Sequence, residues 1–219
     1  MGNIKLCKIK FYLKADEDMI LPVVKTSMLR GVLGHTFKSF NCANRLAKNC
    51  SGCVLKPGCA YSYFFDTSAN VSAKPYVIYS GQMQRHYKTG EHIEFNLILF
   101  GKAVKYLPQF VMSFIEIGKM GITAKKYKFS VCSAKDCHGN EIFRNNEIIA
   151  LPKDMSIGLF NDFPMQAKKA TLRFLMPLRL TSFGDLVVKP SFEMIIKAIT
   201  RRINPQMAYE YVNEFYVIN

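Results

Sequence analysis

Apolar and polar residues alternate along positions 4–15, IKLCKIKFYLKA, and this period of two predicts a β-strand. A helical period follows over about 27–40, after Pro22 and then Thr26 or Ser27, which are helix-start signals. The apolar stripe of this predicted helix consists of Met28, Leu29, Val32, Leu33, Phe37 and Phe40. The other side carries two glycines, Gly31 and Gly34. They indicate either a ligand close to the backbone or a tight crossing with another element.

The pattern further along the chain predicts strands at 75–80 and 91–101, a helix at about 105–117, a strand at 125–132 and a strand pair around 141–151. Gly118 is expected to end the second helix. The resulting order, β-α-β-β-α-β, predicts the α+β class and a ferredoxin-like (RRM-like) domain. Such a domain has four antiparallel strands on one side and two helices on the other.

A second, partial ferredoxin-like unit is expected after this domain. A polar link at 152–169 precedes a predicted strand at 170–180 and a helix at about 191–203, which Asn204 and Pro205 should stop or kink. We therefore divide the chain into a first domain at 1–152, with a cysteine-rich insertion at 42–59, and the start of a second domain at 168–219 that is incomplete at its end.

The net charge of the chain narrows the classes of binding partner that are expected. The 219 residues include 30 Lys and Arg against 16 Asp and Glu, a net charge of +14, and no acidic residue occurs between Asp18 and Asp66. A surface of one sign attracts a polyanion, so nucleic acid is the expected partner, with an anionic membrane surface or a generally basic proteome as alternatives. The chain has no apolar run long enough to span a bilayer and no signal-peptide core, which favours the cytoplasm.

Four cysteines are clustered with the spacing C-x7-C-x2-C-x5-C: Cys42, Cys50, Cys53 and Cys59. Four thiols that include one C-x2-C pair suit a tetrahedral zinc ion, and an iron–sulfur cluster is the alternative. Because four thiolates would leave no open coordination position, the predicted site is structural. Cys132 and Cys137, beside His138, are a weaker second candidate, for which core and turn positions are the favoured interpretation.

Six segments of the chain carry a resemblance to a known family. They are LRGVLGHTFKSF (29–40), CAYSYFF (59–65), LILFGKA (97–103), GKMGITAKKYKF (118–129), FLMPLRL (174–180) and ITRRI (199–203). In their order and spacing they resemble the CRISPR-associated endoribonucleases of the RAMP superfamily that process precursor CRISPR RNA, the Cas-six family.

The resemblance implies tandem ferredoxin-like domains that hold repeat RNA, with other CRISPR-associated proteins as further partners. It also implies cleavage without a catalytic cofactor, in which the ribose 2'-OH attacks the adjacent phosphate and leaves a 2',3'-cyclic phosphate. The glycine-rich loop that such proteins carry near their C-terminus has no counterpart before Asn219. This keeps open a second interpretation, a non-catalytic RNA-binding module of a larger ribonucleoprotein or fusion protein. A third is a zinc-stabilised basic protein that binds another nucleic acid.

Cleavage of this kind needs a base or acid and positive charge beside the phosphorane. His35 is the predicted catalytic histidine, because its pKa in model peptides lies near neutrality and because such proteins tend to place one near the first helix. Lys38 is predicted to stabilise the phosphorane. The predicted RNA contacts are basic side chains on the first helix, in two loops and on the strand predicted at 125–132: Arg30, Arg85, Lys88, Lys119, Lys125, Lys126 and Lys128.

Overall fold

The structure is a computed structural model that describes residues 3–44, 49–66, 74–153, 155–158, 171–174, 178–182 and 185–208. Its first half contains β1 (Asn3–Ala15), β2 (Met19–Ile20), α1 (Lys25–Asn41), α2 (Ala60–Phe65), β3 (Tyr76–Tyr79), β4 (His86–Tyr87) and β5 (His92–Phe100). A 3-10 turn at Lys56–Gly58 precedes α2, and a 3-10 helix at Gly101–Tyr106 leads from β5 into the next element.

The second half contains α3 (Leu107–Met120), β6 (Phe129–Asp136), β7 (Glu141–Arg144), β8 (Glu147–Ile148), β9 (Met155–Gly158), β10 (Thr181–Ser182), β11 (Asp185–Leu186) and α4 (Phe192–Ala208). The main sheet has the order β3-β5-β1-β6-β7-β8, and β9 also pairs with β1. All neighbours in it are antiparallel. The four central strands follow the ferredoxin-like order, so the predicted α+β class is confirmed.

The core lies between this sheet and the pair α1 and α3. Residues Ile9, Phe11 and Leu13 of β1 are fully buried, as the strand alternation requires. The ring of Phe11 stacks on Phe95 of β5 at 5.0 Å and contacts Phe114 of α3 at 5.2 Å. Since α1 and α3 share this core, they cover one face of the sheet and leave the other face clear of both helices.

One predicted core position and two predicted element boundaries in the first domain were wrong. Phe40 is not part of the buried stripe, because its ring is half exposed. It lies one residue before the end of α1. Gly118 does not end α3. The helix stops at Met120, where Gly121 adopts φ 88° and donates its N–H to the carbonyl of Ile117 at 2.8 Å. The following strand starts at Phe129 rather than at 125, because residues 122–127 form a turn.

The region after position 150 also differs from the prediction. Part of the predicted polar link is a strand, β9, which adds to β1 beside its first residues. In the predicted strand at 170–180, the described residues, 171–174 and 178–180, are not in a strand. The pair Asn204 and Pro205 does not stop α4, which continues to Ala208, because a proline near the end of a helix removes one backbone donor without ending the helix. No helix in the described ranges is long and apolar enough to cross a membrane.

Candidate nucleic-acid interface

The face of the sheet opposite the helices is basic and aromatic. Along β1, Lys8, Lys10, Tyr12 and Lys14 alternate with buried residues, so they project from this open face, where the first three are half-buried and Lys14 is exposed. The strand alternation that predicted β1 from sequence also placed these side chains on one side. From sequence this alternation predicted only the strand, and its lysines were not among the predicted RNA contacts.

Strand pairing brings residues of four strands together on the open face. Lys10 lies opposite Asn96 of β5 and Lys135 of β6, and Tyr79 of β3 lies on the other side of Asn96. Tyr12 lies opposite Glu94 and Ser133 in the next row. We use the name open-face platform for the set Lys8, Lys10, Tyr12, Lys14, Tyr79 and Lys135.

Lysine ammonium groups stand over the two tyrosine rings of the open-face platform. The Nζ atoms of Lys10 and Lys135 lie 5.0 and 5.8 Å from the centroid of the Tyr12 ring, and Lys8 Nζ lies 5.8 Å from that of Tyr79. Each ring therefore has at least one ammonium group within 5.8 Å of its centroid. The arrangement offers flat π surfaces for stacking next to positive charge for phosphate.

One acidic residue lies among the positive charges of the open-face platform. Glu94 pairs with Lys10 at 2.7 Å, and this hydrogen bond raises the pKa of Lys10. Among the described residues no carboxylate lies within 4.0 Å of the Nζ atoms of Lys8, Lys14 or Lys135. Three of the four platform lysines therefore retain charge that a bound phosphate can neutralise.

Four predicted RNA-binding lysines lie at the end of α3, Lys119, and in the α3–β6 connection, Lys125, Lys126 and Lys128. Lys128 Nζ donates to the carbonyl of Lys119, and Lys125 Nζ stands 6.0 Å from the Tyr127 ring centroid. Lys126 occupies a turn position with φ 59°. Acidic groups are close by: Lys119 pairs with Glu116 at 3.7 Å, and Lys128 donates its backbone N–H to Glu17 at 2.8 Å.

The other predicted loop contacts, Arg85 and Lys88, lie at the small β2–β4 pair. Lys88 Nζ forms an ion pair with Asp18 at 2.8 Å. The hydrogen bonds from Lys88 and Thr89 lower the pKa of the Asp18 carboxyl to about 2. The charge of Lys88 is thus already balanced, whereas the Arg85 side chain is exposed.

The predicted catalytic pair lies on the helix side of the domain. His35 is exposed on α1, and Lys38 is half-buried with its Nζ 5.7 Å from the ring of Tyr61. Arg30, predicted to contact RNA, stands over the ring of Tyr76 at 5.8 Å. These residues therefore lie on the opposite side of the sheet from the open-face platform.

The two glycines of α1 differ. A Cβ at Gly34 would lie 3.5 Å from the ring of Phe65, which supports the tight-crossing interpretation at this position. Nothing lies within 4 Å of the corresponding point at Gly31.

The structure also brings the four clustered cysteines together. Cys42, Cys50, Cys53 and Cys59 line one cavity of about 80 Å³. None of them forms a disulfide. In the described part of the chain no three or more His, Cys, Asp or Glu side chains are already grouped so that they could hold a metal ion. Cys132 lies on β6 and Cys137 directly after it.

Comparisons with known proteins give two findings and one negative result. A chain in the crystal structure of a Csm3–Csm4 subcomplex in the type III-A CRISPR–Cas interference complex is similar to this chain, with a TM-score of 0.42 and 10% sequence identity. The alignment covers 63% of this chain and 83% of that one. No curated protein matches. Residues 4–155, most of the chain, match the model of the AF_1859_N family, described as an N-terminal domain, and the chain therefore belongs to that family.

Proposed function

We propose that this protein binds single-stranded RNA on the open-face platform, as a module of a CRISPR-associated ribonucleoprotein. The observation that carries the RNA proposal is the convergence of two tyrosine rings and four lysines from β1, β3 and β6 on one sheet face. The CRISPR assignment is supported by the sequence motifs at 29–40, 59–65 and 118–129.

The chemistry of the platform favours RNA over an acidic protein. Each aromatic ring that stacks on a base contributes roughly 1–3 kcal/mol to binding, and each lysine that neutralises a phosphate releases condensed counterions. An acidic peptide could satisfy the lysines but would leave the rings without a flat partner. A single strand offers both groups at every nucleotide, because its bases are not paired.

Replacement of one platform ring tests this proposal. Tyr12→Leu keeps an apolar side chain in the strand but removes the ring, and should weaken binding of a single-stranded repeat RNA roughly 5–150-fold, the equivalent of one lost stack. Tyr12→Phe is the matched control, because it keeps the ring and should bind close to the parent affinity. Fluorescence anisotropy at a fixed salt concentration measures both variants, and circular dichroism checks that they are folded.

Two results would contradict the proposal. If Tyr12→Leu binds RNA as tightly as the parent, RNA does not stack on this ring. If neither the parent protein nor Tyr12→Phe binds RNA, and the platform lysines resist acetylation by a soluble reagent, the open-face platform is covered by another part of the chain. It then cannot be the RNA-binding surface.

We further propose, as the finer form of this function, that the protein cleaves repeat RNA with His35 as base or acid and Lys38 beside the phosphorane. It is supported by the exposure of His35 on α1, where RNA can reach the imidazole. Cleavage in EDTA of a repeat RNA, but not of the same RNA with a 2'-deoxy at the cleaved position, is the expected result. His35→Ala should abolish it.

The matched control for this second test is His86→Ala, because His86 is also exposed but lies on β4. Equal cutting by His35→Ala and the parent would exclude His35. Tight binding without any cutting would leave the RNA-binding module as the function, so the two proposals are tested separately.

A further inference from the structure

The cysteine cluster is a second feature, separate from the open-face platform, that the proposed function does not use. Its four thiols come from three different places: the residue after α1, an irregular segment, and the residue before α2. They nevertheless line the same small cavity. Cysteines placed for packing alone have no reason to line one common cavity, since each could be buried separately.

The backbone positions of these cysteines are fixed by local hydrogen bonds. Cys42 is the C-terminal cap of α1 and donates its N–H to the carbonyl of Lys38 at 3.0 Å. Cys53 N–H donates to the carbonyl of Cys50 at 3.3 Å, which closes a tight turn around Gly52, with φ +73°. A turn of this kind holds two thiols of a C-x2-C pair close enough to contact one ion.

The fourth thiol belongs to Cys59, which precedes α2. The 3-10 turn at Lys56–Gly58 ends at Cys59, whose N–H donates to the carbonyl of Lys56 at 3.3 Å. Cys59 is also the N-terminal cap residue of α2. Its Sγ lies 3.9 Å from the carbonyl oxygen of Asn41, at the end of α1, so both helices meet at this cavity.

Two lysines line the same cavity, Lys38 and Lys56. A centre of four thiolates and one divalent ion has a net charge of −2, which the two ammonium groups, together with the Asp66 carboxylate that also lines the cavity, bring to −1. Lys56 also pairs with Asp66 at 2.8 Å, which holds its ammonium group at the cavity. The lining is thus suited to a metal–thiolate centre and not only to neutral thiols.

We infer that Cys42, Cys50, Cys53 and Cys59 bind one zinc ion as four thiolates, with Lys38 and Lys56 as the charge-compensating side chains. Binding is not a redox step: four S–H groups lose four protons, Zn²⁺ gains four Zn–S bonds of about 2.3 Å, and no electron is transferred.

The metal would join α1 to α2 beside an aromatic cluster. The ring of Phe37 on α1 contacts the rings of Phe64 and Phe65 on α2 at 5.5 and 5.3 Å. Phe64 is fully buried, so this packing persists without the metal. The zinc therefore fixes residues 42–44 and 49–59 rather than the whole domain, and its removal should increase amide hydrogen exchange there while the sheet stays protected.

The test is metal analysis of the full chain purified without chelator. About one zinc per chain is expected, with the acid-labile sulfide of an iron–sulfur cluster absent. After exchange with Co²⁺ in place of zinc, the absorption spectrum should show thiolate-to-cobalt charge transfer and the visible bands of a tetrahedral ion. Cys53→Ser should lose most of the zinc, and Cys137→Ser, an exposed cysteine outside the cavity, should keep it.

A second measurement tests the lysines. Substitution of both Lys38 and Lys56 by Met should weaken zinc binding in a chelator competition by roughly 10–100-fold, as is usual for groups that support metal ligands. Unchanged affinity would exclude their role in charge compensation.

Zinc-free wild-type protein with four thiols that react with Ellman's reagent, or an iron–sulfur spectrum, would overturn the zinc assignment. That result needs no variant and does not depend on RNA binding. A failure of this inference and a failure of the proposed function are therefore distinguishable.

Discussion

At the residue scale, Lys25 shows how a basic residue can serve the fold instead of the surface. Its side chain is fully buried at the start of α1, and Nζ donates to the carbonyls of Gln82 and Gln84 at 2.9 and 2.6 Å. The Tyr87 ring centroid lies 5.4 Å away, and burial lowers the pKa of the ammonium group. From sequence, Lys25 counted among the basic residues of an acid-free segment, because charge alone does not report a partner 57 residues away.

Lys25→Met should therefore reduce the free energy of unfolding by about 1–3 kcal/mol, since two carbonyl groups lose a charged donor in a buried position. Urea denaturation followed by circular dichroism measures the change. Lys102→Met removes the charge of an exposed lysine and serves as the control, with an expected change within about 0.5 kcal/mol. Equal stability of the two variants would show that the buried lysine contributes nothing.

At the element scale, Gly118 fixes the distance between α3 and β6. A Cβ at this position would lie 2.1 Å from the carbonyl oxygen of Phe129, so a side chain there would push the helix off the sheet. Gly118→Ala should lower the free energy of unfolding by about 1–3 kcal/mol, as other overpacked positions do. The measurement is the thermal unfolding midpoint by calorimetry.

The matched substitution in the other helix should act in the opposite direction. Gly31 is exposed within α1, and nothing lies within 4 Å of its added Cβ. Gly31→Ala should stabilise the protein by about 0.5–1 kcal/mol, because alanine loses less conformational freedom in a helix. If both alanine variants shift the midpoint in the same direction, the close contact at Gly118 is not the cause.

The elements that were predictable are those whose periodicity is strong. β1, α1, β5 and α3 each carry a clear apolar repeat, and all four were expected close to their observed bounds. Two other features, β9 and the helical conformation of Gly118, depend on contacts with distant parts of the chain. β9 forms because the first residues of β1 leave a backbone edge to pair with, and Gly118 remains helical because a neighbouring strand approaches it. Neither partner is visible in the local sequence.

The same limit applies to the candidate site. The positive charge and the cysteine spacing pointed from sequence to a polyanion and a metal. Which lysines share a face became clear only from the register, which places Lys135 of β6 beside Lys10 of β1. Residues so far apart in the chain are brought together by strand pairing alone.

At the scale of the whole molecule, the net charge of +14 predicts a steep salt dependence of RNA binding. If RNA lies on the open-face platform, Lys135→Gln should reduce the slope of log K against log salt by about 0.7, the value for one phosphate contact on a single strand. Lys119→Gln should leave the slope unchanged, because Lys119 lies on α3 and pairs with Glu116. A reduced slope for Lys119→Gln with an unchanged slope for Lys135→Gln would indicate that RNA binds at the α3–β6 connection and not on the open-face platform.

The position of β1 in the sheet has a consequence for synthesis on the ribosome. β1 is made before the strands that pair with it, and its register partners are Leu99 for Cys7, Asp136 for Ile9 and Gly158 for Asn3. Such distant pairs form only after the intervening chain has been translated, and closing long loops is slow. The nascent chain therefore carries an unpaired central strand until β5 and β6 emerge, and an RNA present during translation meets no platform until synthesis has passed Lys135.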